Sequence, residues 1–447
     1  MTHSKLTLIA SLSLMAFAVA PARAATDTRP PATAAVSATS LPASAPSYSL
    51  PQLLTLAQTT NKGVEAAQAG VDAASAAIAS ARAYPNPQVE VMMGRLQGRQ
   101  PGVTSGNSPS YAITQKFDYP QQRNLRQAMA GRGLEASEAQ RHGFHAELAA
   151  RVKTAYYEVL RRESELAAAT EDLAMMRQIH SRARLRVEVG EAPRYELIKA
   201  ETELLATQKS QQTAELRVNQ AKAALRQQVG GALPAQFGLA GTLGQAPDLP
   251  PLPALRDTMT GSNAELTQRR MELERARLGV DYQRSLRWPE VALRASTDRQ
   301  PDNNVSQIGL VMTIPLWDRR SGPVGEATAQ ATQARTALEA REFELAQELE
   351  TAYRQYEITQ AQVTALESGI VREAESALGV AESAYRFGER GILDYLDAQR
   401  VLRGARSDLI AAQFDLQVAA IQIEKLLSTN ANAAALAPLP SSTTESK

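Results

Sequence analysis

Cysteine is absent from all 447 residues. That excludes disulfides, thiolate metal sites, a cysteine nucleophile and a lipid attached to a cysteine behind a leader. Histidine is nearly absent: of the four, His3 lies in the leader described below, and His142, His145 and His180 are scattered along one helical stretch. His142 and His145 are three apart and share a helix face, but a metal site needs more ligands than these two. They read as ordinary helix-surface positions. Met92 and Met93 are neighbours in a strand and face opposite sides, so they form no paired soft-metal site. An excess of one charge is missing too. Lys and Arg number 48 against 47 Asp and Glu, a net +1, which gives no reason to invoke nucleic acid or an anionic surface. No nucleophile–base set and no phosphate-binding loop emerges. An enzyme is therefore the weakest class, and no catalytic residue, metal ligand or cofactor is expected.

Long hydrophobic runs are lacking as well. The first 24 residues have a charged start, an apolar run from Leu6 to Ala20 and Ala22-Arg23-Ala24, the form of a cleaved secretory signal with the mature chain starting at Ala25. The run is shorter than the ~20 apolar residues that span a bilayer. No later stretch is apolar enough for a transmembrane helix, so membrane residence would require a β-barrel. Residues 25–49, rich in Ala, Pro, Ser and Thr, read as an unstructured arm, and 428–447 as a loose tail.

What is present is one unit written twice. Gly190 and Gly388 are 198 positions apart, and at that offset VEVGEAPRYELIKAE faces YRFGERGILDYLDAQ. Tyr84-Pro85 and Trp288-Pro289 are 204 apart, Ala155-Tyr156 and Ala352-Tyr353 197 apart. The repeat is half the chain, too long for a solenoid. The repeats span about 50–250 and 251–427. Each begins with a moderate helix, Gly63 to Ala83 and Asn263 to Arg287. Two strands follow in each: about 87–98 and 109–119, then about 289–299 and 304–317. Alternation is clearest in the last, where Ile308, Leu310, Met312 and Ile314 share one face.

After each strand pair comes a very long helix, with Pro120 and Pro323 near the starts, where proline is tolerated. From Ser321 to Phe387 such a helix would be ~100 Å long. Its seam includes Val324, Ala327, Ala331, Ala334, Leu338, Leu345, Leu349, Ala352, Tyr356, Val363, Leu366 and Ile370, coiled-coil steps rich in small knobs. Gly190 and Gly388 end the long helices and return the chain into Tyr195–Val229 and Ile392–Leu427, making the tips of two helical hairpins. Four strands cannot close a barrel, and an open edge in lipid is costly, so the chain must oligomerise. Three copies would supply twelve strands. The residues themselves leave two, three and four copies open.

This order of parts, and the tip YRFGERGILDYLDAQRVL, resemble the TolC family of outer-membrane efflux ducts over about residues 50–427. YPNPQVEV at Tyr84 and MTIPLWDRRSGPVGEA at Met312 resemble its CzcC-like, heavy-metal cation branch. The resemblance implies an α+β membrane protein. Antiparallel helical hairpins would form a periplasmic α-barrel, and four strands per chain would join a trimeric twelve-stranded outer-membrane β-barrel. It implies a homotrimer in outer-membrane lipid, working with a periplasmic membrane-fusion adaptor and an inner-membrane RND pump, and no nucleic acid. The function expected is a passive exit duct for heavy-metal cations. A drug or type I secretion duct and a periplasmic coiled-coil adaptor are the alternatives.

The family's DVLDA element stands here as DYLDA. The resemblance implies that Asp394 and Asp397, on one helix face, line the periplasmic aperture, where rings of carboxylates select cations. The bland alternative is two solvated aspartates. In the first repeat Glu196 and Lys199 take the matching positions, and Lys199 is a candidate latch onto a neighbouring hairpin. Adaptor-docking candidates at the two turns are Arg186, Val189, Gly190, Arg194, Arg386, Phe387, Gly388 and Arg390, with Ile392 as a further apolar contact. For each arginine the alternative is simple solubilising charge.

Overall fold

The computed structural model describes residues 46–97, 99, 102, 104–244 and 247–428. The leader, residues 25–45 of the arm and 429–447 of the tail lie outside them. The end of the arm departs from expectation. Ser47–Ser49 form β1, paired in parallel with β4 (Gly238–Ala240). A polar tripeptide gives no alternation, so only a partner strand almost two hundred residues away makes it a strand. Ser49 then caps α1 (Leu50–Thr60), its backbone N–H donating to the Gln52 side chain at 2.9 Å.

The first repeat continues through α2 (Lys62–Arg82), β2 (Gln88–Leu96), β3 (Gly106–Phe117), α3 (Pro120–Glu188) and α4 (Arg194–Val229). The second consists of α5 (Leu252–Ser262), α6 (Ala264–Ser285), β5 (Glu290–Arg299), β6 (Asn304–Thr313), α7 (Ser321–Ala365), α8 (Val371–Arg386) and α9 (Ile392–Leu427). α1 and α5 are additional short helices that the composition did not suggest. β6 ends at Thr313, four residues before the expected limit.

The duplication reappears in hydrogen bonds. Asn61 and Asn263 each cap a moderate helix and donate from Nδ2 to the end of a return helix, to the Gln228 and Leu426 carbonyls, both at 2.8 Å. Thr60 and Ser262 do the same from their hydroxyls, to the Val229 and Leu427 carbonyls, both at 2.7 Å. Tyr156 and Tyr356 each send a hydroxyl to the connecting segment, at Ala240 and Pro247. The Asn pair and the Thr60/Ser262 pair clamp helix ends that would otherwise leave carbonyls unpaired.

The core lies in three separate clusters. Leu53, Val152, Val159, Leu225 and Phe237 lead the first, and Leu266, Leu345, Leu349 and Ile423 the second. The third, at the tips, is described below. Between the second cluster and the tip the long helix is not continuous. Leu366–Ile370 form a π-helical turn, whose wider pitch displaces the seam. Ile370, expected inside, is exposed, and Ala374, Leu378 and Tyr385 carry the inward face onward. Among the described residues no helix is long and apolar enough to cross a membrane.

The four long strands make one antiparallel sheet in the order β2-β3-β5-β6, with the two repeats joined where Ser110–Phe117 pair with Val291–Asp298. One face exposes Val89, Val91, Met93, Tyr111, Ile113, Phe117, Leu293, Ile308, Leu310 and Met312; Ile308 is 81% exposed. The other carries charge: Glu90 pairs with Arg294 at 2.9 Å, and Lys116 with Glu290 at 3.7 Å. An apolar face outside water on a sheet with a charged reverse is the pattern of a membrane barrel wall.

Candidate functional site at the hairpin tips

Both tips are the same turn. The Arg186 carbonyl accepts from the amides of Glu191 (2.8 Å) and Ala192 (3.2 Å); the Ala384 carbonyl accepts from Glu389 (2.9 Å) and Arg390 (3.4 Å). Gly190 (φ 83°) and Gly388 (φ 74°) hold the left-handed conformation that lets each helix stop.

Beneath the turns Met176, Ile179, Ala183, Ala200, Ala374, Leu378, Tyr385, Tyr395 and Leu402 pack together. Ile392 belongs to this core at 0% exposure. It is therefore unavailable for docking, contrary to expectation: the first turn of α9 aims it inward. Tyr385 stacks on Tyr395 at 5.8 Å, and the Arg186 guanidinium lies over Tyr385 at 5.0 Å from the ring centre. Arg186 is thus half-buried packing, tied to the tip rather than offered from it. Burial pushes both tyrosine hydroxyls above their usual range, Arg186 opposing it at Tyr385 and Glu382 adding to it at Tyr395. Arg182 reaches Glu382 at 3.1 Å and joins the two hairpins.

The surface of the tip consists of Val189, Arg194, Arg386, Phe387 and Arg390, all exposed. The Arg386 guanidinium stands 5.2 Å from the centre of the Phe387 ring. Asp394 and Asp397 are exposed, but each has a cationic partner within its own chain. Arg390 lies 3.8 Å from Asp394 and Arg400 lies 3.5 Å from Asp397. Arg400 had no place in the sequence reading, although its i,i+3 spacing from Asp397 was visible there. Glu196 is half-buried beside Gly391. Its Oε2 and the Gln399 side-chain nitrogen are buried without a hydrogen-bond partner. Lys199 is half-buried and makes no ion pair among the described residues. Tyr385 and Tyr395, missed by reasoning on charge, lie within the tip sequence on either side of Gly388.

Higher along the helices, Asp172 is pushed up by burial despite Arg403 and Arg406 nearby. His145 is pushed down by burial, with Arg141 and His142 adding to it. No group of three or more His, Asp or Glu side chains among the described residues could hold a metal ion.

A sheet with an apolar outer face, mounted on long helical hairpins with charged tips, defines the protomer of an outer-membrane channel with a periplasmic helical tunnel. The family comparison agrees. Residues 53–231 and 255–429 match the model of the outer membrane efflux protein family, and the chain belongs to that family. The two matched segments are its two repeats.

The chain is 26% identical over 376 residues to the cobalt-zinc-cadmium resistance protein CzcC of Cupriavidus metallidurans, covering 84% of this chain and 88% of that protein. It is 29% identical over 303 residues to the nickel-cobalt-cadmium resistance protein NccC of Alcaligenes xylosoxydans xylosoxydans, covering 66% and 67%. In fold it is similar to the outer membrane protein VceC of Vibrio cholerae, with TM-score 0.72, 18% identity, and 85% and 96% of the two chains covered. The protein is an efflux channel of the outer membrane, and the periplasmic-adaptor alternative falls away.

Proposed function

We propose that three copies close into one duct, that it serves a periplasmic adaptor and an inner-membrane pump, and that its cargo is heavy-metal cations. The observation that carries the assembly is the sheet. β2 and β6 are its edges, and their backbone groups need partners in lipid. Three copies of a four-stranded sheet give twelve strands, within the range of such barrels.

The cargo rests on the relatives whose names specify cobalt, zinc, cadmium and nickel resistance. A strain lacking this gene is expected to lose growth in cobalt, zinc, cadmium or nickel and to recover when the gene is restored. Sensitivity to dyes and antibiotics instead would overturn the cargo and leave the duct.

At the aperture, Asp394 and Asp397 with their arginines make a ring of mixed charge, and Lys199 latches a neighbouring hairpin in the closed state. Lys199→Glu is expected to raise the resting conductance of the reconstituted channel; single-channel conductance identical to wild type would count against the latch.

A further inference from the structure

Every place where the sheet meets a helix carries an exposed aromatic residue: Tyr84 before β2, Phe117 and Tyr119 after β3, Trp288 before β5 and Trp317 after β6. Trp317 is the extreme case at 93% exposure. An indole has a large apolar body and one N–H, so it sits better at a membrane–water boundary than in water. Its position is continuous with the apolar face of the sheet. Ile308, Leu310 and Met312 of β6 lead directly to exposed Ile314 and Leu316, and then to Trp317. Trp317 also lies past Thr313, the end of β6, and so beyond the reach of strand pairing along that edge.

The segment that presents this indole has a defined local turn. Asp318 Oδ1 accepts from the Arg320 backbone N–H at 2.8 Å. Arg320 itself is held at φ 54°, ψ 32°, a left-handed conformation that is strained for a residue with a side chain. The turn places two arginines next to the tryptophan, and neither Arg319 nor Arg320 makes a side-chain ion pair among the described residues. The other junctions spend their charge differently. Arg123, for instance, bonds the Arg82 carbonyl and covers the Tyr84 ring at 4.4 Å. Two adjacent guanidiniums, with a net positive charge of one against the Asp318 carboxylate and no side-chain ion pair among the described residues, stand beside a boundary indole and are suited to phosphate oxygens.

We propose that Trp317, Arg319 and Arg320 form a docking site for anionic phospholipid headgroups of the periplasmic leaflet. The indole lies at the headgroup boundary and the two guanidiniums hold phosphate oxygens. The site rests on the placement of the sheet in the outer membrane. It would anchor the lower rim of the barrel where the helical tunnel begins.

The chain has two tryptophans, so full-length protein carrying Trp288→Phe reports on Trp317 alone. It is reconstituted in phosphatidylcholine vesicles with or without phosphatidylglycerol, with acyl chains brominated either near the headgroup or near the terminal methyl. Trp317 emission is expected to be quenched by bromine near the headgroup, little affected by bromine at the methyl end, and protected from acrylamide. Native mass spectrometry of protein extracted from the mixed vesicles reads the lipid preference. Arg319→Gln and Arg320→Gln are each expected to lower phosphatidylglycerol retention relative to phosphatidylcholine about five-fold.

Quenching of Trp317 by acrylamide and not by lipid bromine would overturn the proposal. Protection from both would overturn it too, and would mean that a neighbouring copy covers the segment. Unchanged phosphatidylglycerol preference in the two arginine variants would sink the headgroup site even with the indole in lipid. Insertion of the sheet is checked separately by Ile308→Trp in protein with both native tryptophans changed to phenylalanine. Lipid quenching there with none at Trp317 rejects the docking site and leaves the barrel standing.

Discussion

Asp394→Asn combined with Asp397→Asn is expected to shift the channel's ion preference towards anions. Each aspartate is exposed and stands within 4 Å of an arginine of its own chain, Arg390 and Arg400 respectively. If the tips form the aperture as proposed, removing the carboxylates leaves two unbalanced guanidiniums per copy there, instead of a ring of mixed charge. A change of about ten-fold in the ratio of cation to anion permeability is the expected size, because charged rings dominate selectivity where a pore is tight. Reversal potentials across a bilayer with a salt gradient measure it. The complementary change, Arg390→Gln with Arg400→Gln, should move the same potential in the opposite direction. If neither pair moves it, the aperture lies elsewhere and the two aspartates are ordinary surface residues.

Charge reversal at Arg386 and Arg390 is expected to slow association with the periplasmic adaptor about ten-fold and to remove most of its salt dependence, as loss of rim charge does. Arg386 projects at the end of the hairpin against exposed Phe387, and the core beneath does not use it. Arg390 also faces Asp394, so Arg386→Glu alone is the cleaner variant, and Arg390→Glu should additionally alter conduction. Arg186 supplies the contrast. Its guanidinium covers the buried Tyr385 ring, so Arg186→Glu should loosen the tip, seen as faster amide exchange around Tyr385 and Tyr395, whether or not an adaptor is present. Undiminished crosslinking of the Arg386→Glu protein to the adaptor would show that docking uses another surface.

Much of the tip was readable before any coordinates. Gly190 and Gly388 announce the turns because a helix that must stop and reverse needs a residue free to adopt positive φ. The aspartates and arginines around them are close in sequence, and i,i+3 and i,i+4 neighbours on a helix are close in space. Ile392 was misread for the opposite reason. Exposed and buried apolar residues look alike in a short segment, and what buries Ile392 is a core drawn from both hairpins. Ile370 was misread because a single π turn shifts a helical face, and the residues Leu366–Ile370 contain nothing that demands one.

By itself, then, the amino-acid sequence determined the repeat, the four long strands and the two reversals. These are local or periodic properties, set by turn residues, by alternation and by the spacing of apolar side chains along one element. Tertiary structure alone decided that β3 pairs with β5 to join the repeats in one sheet, that Ser47–Ser49 form a strand, and that Asn61 and Asn263 lock the return helices. The physical reason is the same in each case. A pattern along one element says which face seeks a partner, whereas the identity of that partner depends on contacts between residues far apart in the chain.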